Sequence, residues 1–152
     1  VEARSGRVAH AKKTMSETDI SAAARLLLHE RVHTFEQLEA LVLLYGARGN
    51  ARPESAIAEA LKIPAEAARE ALLELESRGL AAGERQEAAP RYRYSAGTTE
   101  LDAAVRELVR AYHDNRLGVV RLMSDNAIHR MRTGAIRAFS DAFLIGRKKR
   151  DG

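Results

Sequence analysis

The chain has 152 residues, 45% hydrophobic and 30% charged, which suits a soluble globular protein with one core and an appended helical piece. It has no cysteine, which excludes disulfide scaffolds, thiolate nucleophiles and cysteine-based zinc sites and suits a reducing cytoplasm. The net charge of +4 is uneven: residues 1–14 carry four basic against one acidic side chain, residues 15–115 twelve against seventeen, and residues 116–150 nine against two, so the ends are the segments that attract phosphate or acidic partners.

Val1 to Thr14 has no apolar period, and Met15-Ser16-Glu17 resembles an ordinary protein start. Residues 1–14 therefore read as an upstream extension or a disordered arm, and residues 1–18 as a basic, flexible N-terminal extension. No signal-peptide pattern follows. No apolar run approaches the ~18 to 20 residues of a membrane span, so no membrane is expected and the location reads as cytoplasmic. Abundant Ala and Leu favour helix. The first helix is predicted over Ile20 to Val32, with Asp19 as N-cap and an apolar face on Leu26, Leu27 and Leu28. The second begins at Thr34, whose partner three positions later, Gln37, makes a capping box. Phe35, Leu38, Leu41, Val42 and Tyr45 recur there at helical spacing, and Gly46 to Asn50 ends the helix.

Pro53 suits the first position of a third helix with Ile57, Ala60 and Leu61 as its buried side. Lys62-Ile63-Pro64 makes a turn. A fourth helix follows with Ala68, Ala71, Leu72 and Leu75 inward and Gly79 as its stop. Gly83 to Glu87 reads as a polar turn, and Arg91-Tyr92-Arg93-Tyr94 alternates with period two, as a half-buried strand does. Thr98 or Thr99 then caps a long helix whose seam, Leu101, Val105, Leu108 and Tyr112, has 4-3-4 spacing; this helix is expected to run past Gly118 to Met123. Ser124-Asp125-Asn126 reads as a break. Ile128, Met131, Ala135, Ala138 and Ala142 continue at 3-4-3-4 spacing with Phe139 and Phe143, interrupted by Gly134 and closed by Gly146 before the basic run Arg147 to Arg150.

No assembled catalytic set is legible, and no enzyme activity is expected. GxSxG, phosphate-cradling glycine loops and spaced carboxylate motifs are missing from the sequence. His29 and His33 stand i, i+4 but lack a third ligand nearby in sequence, and His113-Asp114 diverge on a helix. No metal and no cofactor are therefore expected. Tyr92 and Tyr94 read as core, and the Arg147 to Arg150 run equally as a solvated end or a phosphate-binding appendage.

The stretch from residue 53 to 80, PESAIAEALKIPAEAAREALLELESRGL, with IAEALKI at 57 to 63 and Leu72, Leu75, Gly79 and Leu80 closing the second helix, resembles the winged helix-turn-helix bacterial transcription regulators of the MarR and GntR sort. The resemblance covers roughly residues 34 to 95. It implies a mainly α fold with a small β-hairpin wing and C-terminal helices. The helix from Pro64 to Arg78 would enter the major groove of double-stranded DNA with Arg69 and Arg78 as its cations, and the wing would add Arg85, Arg91 and Arg93. In a MarR-like homodimer the long helix after the wing pairs two copies, which places Leu101, Val105, Leu108 and Tyr112 in the dimer interface, with packing inside one chain as the other reading. The expected organisation is the extension to residue 18, the winged domain over 19–97, dimerising helices over 98–145 and a basic tail over 146–152.

The recognition helix departs from that pattern. It holds Glu66, Glu70, Glu74 and Glu76 against Arg69 and Arg78, and carboxylates oppose phosphate contact. A transcription regulator binding DNA as a dimer is the leading reading. The alternative is a winged-helix interaction module that binds a protein partner through this acidic helix.

Overall fold

Capping decides where the helices begin. The computed structural model describes residues 19–85 and 89–151, with residues 145–151 as backbone only. Helix α1 spans Ala22–Glu30, and its N-cap is Ser21, whose Oγ accepts from the Ala24 amide at 3.2 Å. The expected cap, Asp19, lies outside the helix, two residues before the Ser21 cap and next to the buried Ile20. Leu27 and Leu28 face inward while Leu26 is exposed. Helix α2, Phe35–Gly46, starts with the predicted capping box: the Thr34 side chain accepts from the Gln37 amide at 3.2 Å, and the Gln37 side chain accepts from the Thr34 amide at 3.4 Å.

The pair Arg52–Pro53 forms a short strand, β1, absent from the sequence reading, and α3 follows over Glu54–Leu61. Pro53 therefore caps α3 rather than opening it, and it can sit in a strand because an edge position needs no donor from it. Ile57 and Ala58 are the buried pair of α3; Ala60 is exposed. Lys62 makes the tight turn in a left-handed conformation (φ 56°, ψ 44°), and α4 runs Ala65–Ser77 with Ala68, Ala71, Leu72 and Leu75 buried as predicted. Gly79 (φ 78°) stops it: its amide reaches the Glu76 carbonyl at 3.1 Å and the Leu80 amide reaches the Leu75 carbonyl at 2.9 Å, the paired closure that favours glycine.

Strands β2 (Ala81–Arg85) and β3 (Pro90–Tyr94) complete an antiparallel sheet in the order β1-β3-β2. Gly83 and Glu84 thus belong to a strand and not to the turn; residues 86–88 of that turn lie outside the described residues, as does the extension to residue 18. Helix α5 spans Thr99–Asp114 with Thr98 as cap, and α6 runs unbroken over Arg116–Asp151. The expected break at Ser124 to Asn126 is displaced to Asn115, whose backbone is non-helical (φ −146°, ψ 63°) and whose Oδ1 accepts from the Gly118 amide at 3.1 Å. Just before 124–126, the buried Leu122 and Met123 hold α6 against the core and override the local capping preference. Gly146 does not end the helix. One apolar cluster reaches from Ile20 to Met123 and takes in α1 to α5, the sheet and the start of α6. The architecture is a mainly α, winged helix-turn-helix fold with flanking helices.

Candidate nucleic-acid interface

The wing is fixed through Tyr92. It lies opposite Gly83 on β2 and opposite Arg52 on β1, and it is 1% exposed. Side chains alternate across a strand, so Arg91 and Arg93 project together from the other, solvent face of the central strand. Glu84 stands opposite Arg91 and Ala82 opposite Arg93. The Arg93 Nε lies 3.7 Å from Glu84, and Arg91 donates to the Ala51 carbonyl at 3.3 Å. This face carries two guanidiniums against one carboxylate.

Arg85 does not join them. Its register partner is Pro90, which puts it on the Tyr92 side, and its guanidinium turns back to Glu76 of α4 at 3.2 Å. Of the three arginines expected together on the wing, Arg91 and Arg93 share one face and Arg85 lies on the other. Glu76, which sequence reading placed among the carboxylates facing a partner, is a bridge: its other oxygen accepts from the Gly83 amide at 2.8 Å. Gly83 is required for this approach, since a Cβ there would come within 2.6 Å of Glu76 Oε2 and 3.0 Å of the Tyr92 ring. Nothing in the local sequence signals that closeness.

On α4, Glu66, Arg69, Glu70, Leu73, Glu74 and Ser77 form the exposed face. Arg69 points to solvent there and makes no ion pair among the described residues. Arg78 is spent inside the fold. It pairs with Glu74 at 3.1 Å and donates to the Glu30 carbonyl at 2.9 Å, its Nη1 lies 3.2 Å from His33 Nε2, and its own carbonyl accepts from Arg31. It ties the end of α4 to the end of α1, and these bonds engage the guanidinium expected to face DNA. The solvent face of the helix is then acidic, three carboxylates against Arg69 and the partly engaged Arg78. Thr34, Glu36 and Gln37 of α2 with Ala67, Glu70, Ala71, Leu73 and Glu74 of α4 line a groove of about 480 Å³ along it.

The seam expected to pair two copies is turned inward. Val105, Leu108 and Tyr112 are buried in the chain's own core, where α5 packs on α1, and Leu101 packs half-buried against it. The Tyr112 hydroxyl donates to Glu39 of α2 at 2.7 Å; burial, then this bond to a carboxylate, pushes its pKa up to about 12. Arg116 reaches the same Glu39 oxygen at 3.3 Å. Tyr94 donates to Asp102 at 2.7 Å and meets the Tyr45 ring edge-on at 5.1 Å; burial first, then Asp102, raises its pKa well above the usual range. These contacts bind α5 to both the helix-turn-helix and the wing. The uncovered apolar surface lies farther on: Ile128, Met131, Phe139 and Phe143 stand on α6 at helical spacing, Met131 73% and Phe139 74% exposed. Their period was legible in the sequence; that they, and not the α5 seam, lack a partner within the chain was not.

Among the described residues no group of three His, Cys, Asp or Glu side chains is placed to hold a metal ion, and no helix is long and apolar enough to cross a membrane. No protein-family model and no curated protein matches the chain. Among solved structures it is similar to MepR of S. aureus bound to an oligodeoxyribonucleotide, at 18% identity over 93% of this chain and 98% of that one, with a TM-score of 0.48. It is also similar to reduced HlyU of Vibrio cholerae, at 21% identity over 64% of this chain and 98% of that one, TM-score 0.47. A third is the adhesin competence repressor AdcR of Streptococcus pyogenes, at 20% identity over 78% and 85%, TM-score 0.44.

Proposed function

We propose that this chain is a winged-helix transcription regulator of the bacterial cytoplasm that binds double-stranded DNA as a homodimer, with the wing as its leading contact. The observation that carries the reading is the pair Arg91 and Arg93, held on the solvent face of the central strand by the burial of Tyr92 between them. Two guanidiniums at alternate positions of a rigid strand suit adjacent phosphates of one backbone. Of the two cations expected on α4, Arg69 is the one left facing solvent, beside Glu66 on a helix whose carboxylates suit cytosine N4 rather than phosphate. The dimer rests on α6: its uncovered Met131, Phe139 and Phe143 match the chemistry of a second copy of the same stripe. Because α5 is bonded to α2 and β3, joining two arms also sets the spacing of two wings.

The test is a binding series on genomic DNA fragments at rising salt, with Arg91→Ala/Arg93→Ala as the comparison. The double variant should weaken all fragments alike, because phosphate contacts carry no sequence information. A chain that binds no fragment at low salt would remove the reading. The acidic outer face of α4 favours a second reading, a module that grips a protein partner. It predicts a partner lost on Glu66→Lys/Glu70→Lys in a chain that shows no DNA affinity.

A further inference from the structure

The groove between α2 and α4, of about 480 Å³, is chemically one-sided. Glu36, Glu70 and Glu74 rim it, while Ala67, Ala71 and the exposed Leu73 form a shallow apolar floor. Glu36 and Glu70 make no ion pair among the described residues, and Glu74 shares its charge with Arg78. The amino-terminal stretch VEARSGRVAHAKKT has the complementary character. It carries Arg4, Arg7, Lys12 and Lys13 against Glu2, with Val8, Ala9 and Ala11 between the cations.

Reach allows the match. Helix α1 covers about 14 Å at 1.5 Å per residue. Its far end leads directly into Thr34 at the rim of the groove. Residues 10–18, extended at roughly 3.3 Å each, cover about 30 Å. That span exceeds the length of α1, so the length of the segment does not bar it from the groove.

We propose that the α2–α4 groove is the docking site of the chain's own basic segment, residues 1–14, with its cations on Glu36, Glu70 and Glu74 and its small apolar residues on Ala67 and Leu73. Docked there, the segment's net charge of +3 offsets the carboxylates that otherwise turn the outer face of α4 away from phosphate.

The full chain without DNA tests this, so the outcome is separate from that of the DNA-binding reading. The chain has no cysteine, so Ser5→Cys takes a single nitroxide label. Paramagnetic broadening of amide NMR signals then reports where the segment lies. The expected result is selective loss of signal at Gln37, Ala67, Glu70, Ala71 and Leu73. The signals should recover on reducing the label, in salt near 1 M, where charges are screened beyond about 3 Å, and in Glu36→Lys/Glu70→Lys. These two positions are exposed and outside the core, so the reversal leaves the fold in place. Broadening confined to the wing or to α6, even broadening over the whole surface, or broadening that survives the charge reversal would each overturn the proposal.

Discussion

Leu108→Ala separates a core seam from a dimer seam. Leu108 is fully buried within the chain, and emptying such a site costs about 3 kcal/mol, the lost transfer energy plus a cavity. Unfolding entropy near 2.1 cal/mol/K per residue gives about 0.3 kcal/mol/K for this chain length, so the Tm should fall by about 10 °C. The fall should be the same at every protein concentration, because no partner is involved. Phe139→Ala is the counterpart. Burying that ring against a second copy is worth about 2 kcal/mol, hence about 4 kcal/mol per dimer, so dimer dissociation should ease by roughly a thousand-fold while the dissociated chain unfolds as before. Thermal unfolding and analytical ultracentrifugation over a concentration series read both. A Leu108→Ala chain that keeps its Tm and loses its dimer, or a Phe139→Ala chain with an unchanged dimer, would refute the assignment of α5 to the core and α6 to the interface.

Gly83→Ala should cost about 1 kcal/mol, since the added methyl displaces the Glu76 carboxylate from its bond to the residue 83 amide and presses on the Tyr92 ring; urea unfolding checks it. Lys62→Val should lower stability by about 1 kcal/mol or more, because a β-branched side chain tolerates the left-handed turn poorly, whereas Lys62→Gly should be tolerated. Burial, then Arg130, hold the His33 pKa below its usual 6.5; the His29 carbonyl and Glu74 pull upward, and Arg78 adds to the lowering. The folded chain thus takes up that proton less readily than the unfolded one. The stability from this group is complete above pH 6.5 and is lost as pH falls through 6.5 toward the folded value. Melting curves between about pH 7.5 and about pH 5 should therefore slope less steeply for His33→Gln than for the parent chain.

The helix-turn-helix was legible in the sequence because its signals are local. Thr34 and Gln37 cap through atoms three residues apart, Gly79 stops α4 through its own backbone freedom, and the alternation of Arg91 to Tyr94 sets a strand face. Where the outcome depended on distant partners, local signals failed. Ser124 to Asn126 reads as a cap, yet Leu122 and Met123 are anchored by a core the local sequence does not display. Arg78 looks like a solvent-facing cation until the Glu30 carbonyl and His33 are brought beside it, and Arg85 until Glu76 is. The apolar spacing of α5 and of α6 is equally regular; which stripe is left uncovered follows only from where α1 packs.

The salt dependence of DNA binding by the full chain is the most direct measurement of the central claim. Two phosphate contacts per copy, Arg91 and Arg93, make four per dimer, and at about −0.9 each they contribute about −3.6 to the slope of log affinity against log salt. Arg91→Ala/Arg93→Ala should remove that share and weaken every sequence together. Duplex binding whose slope is unchanged in the double variant would contradict the wing as the phosphate-gripping element.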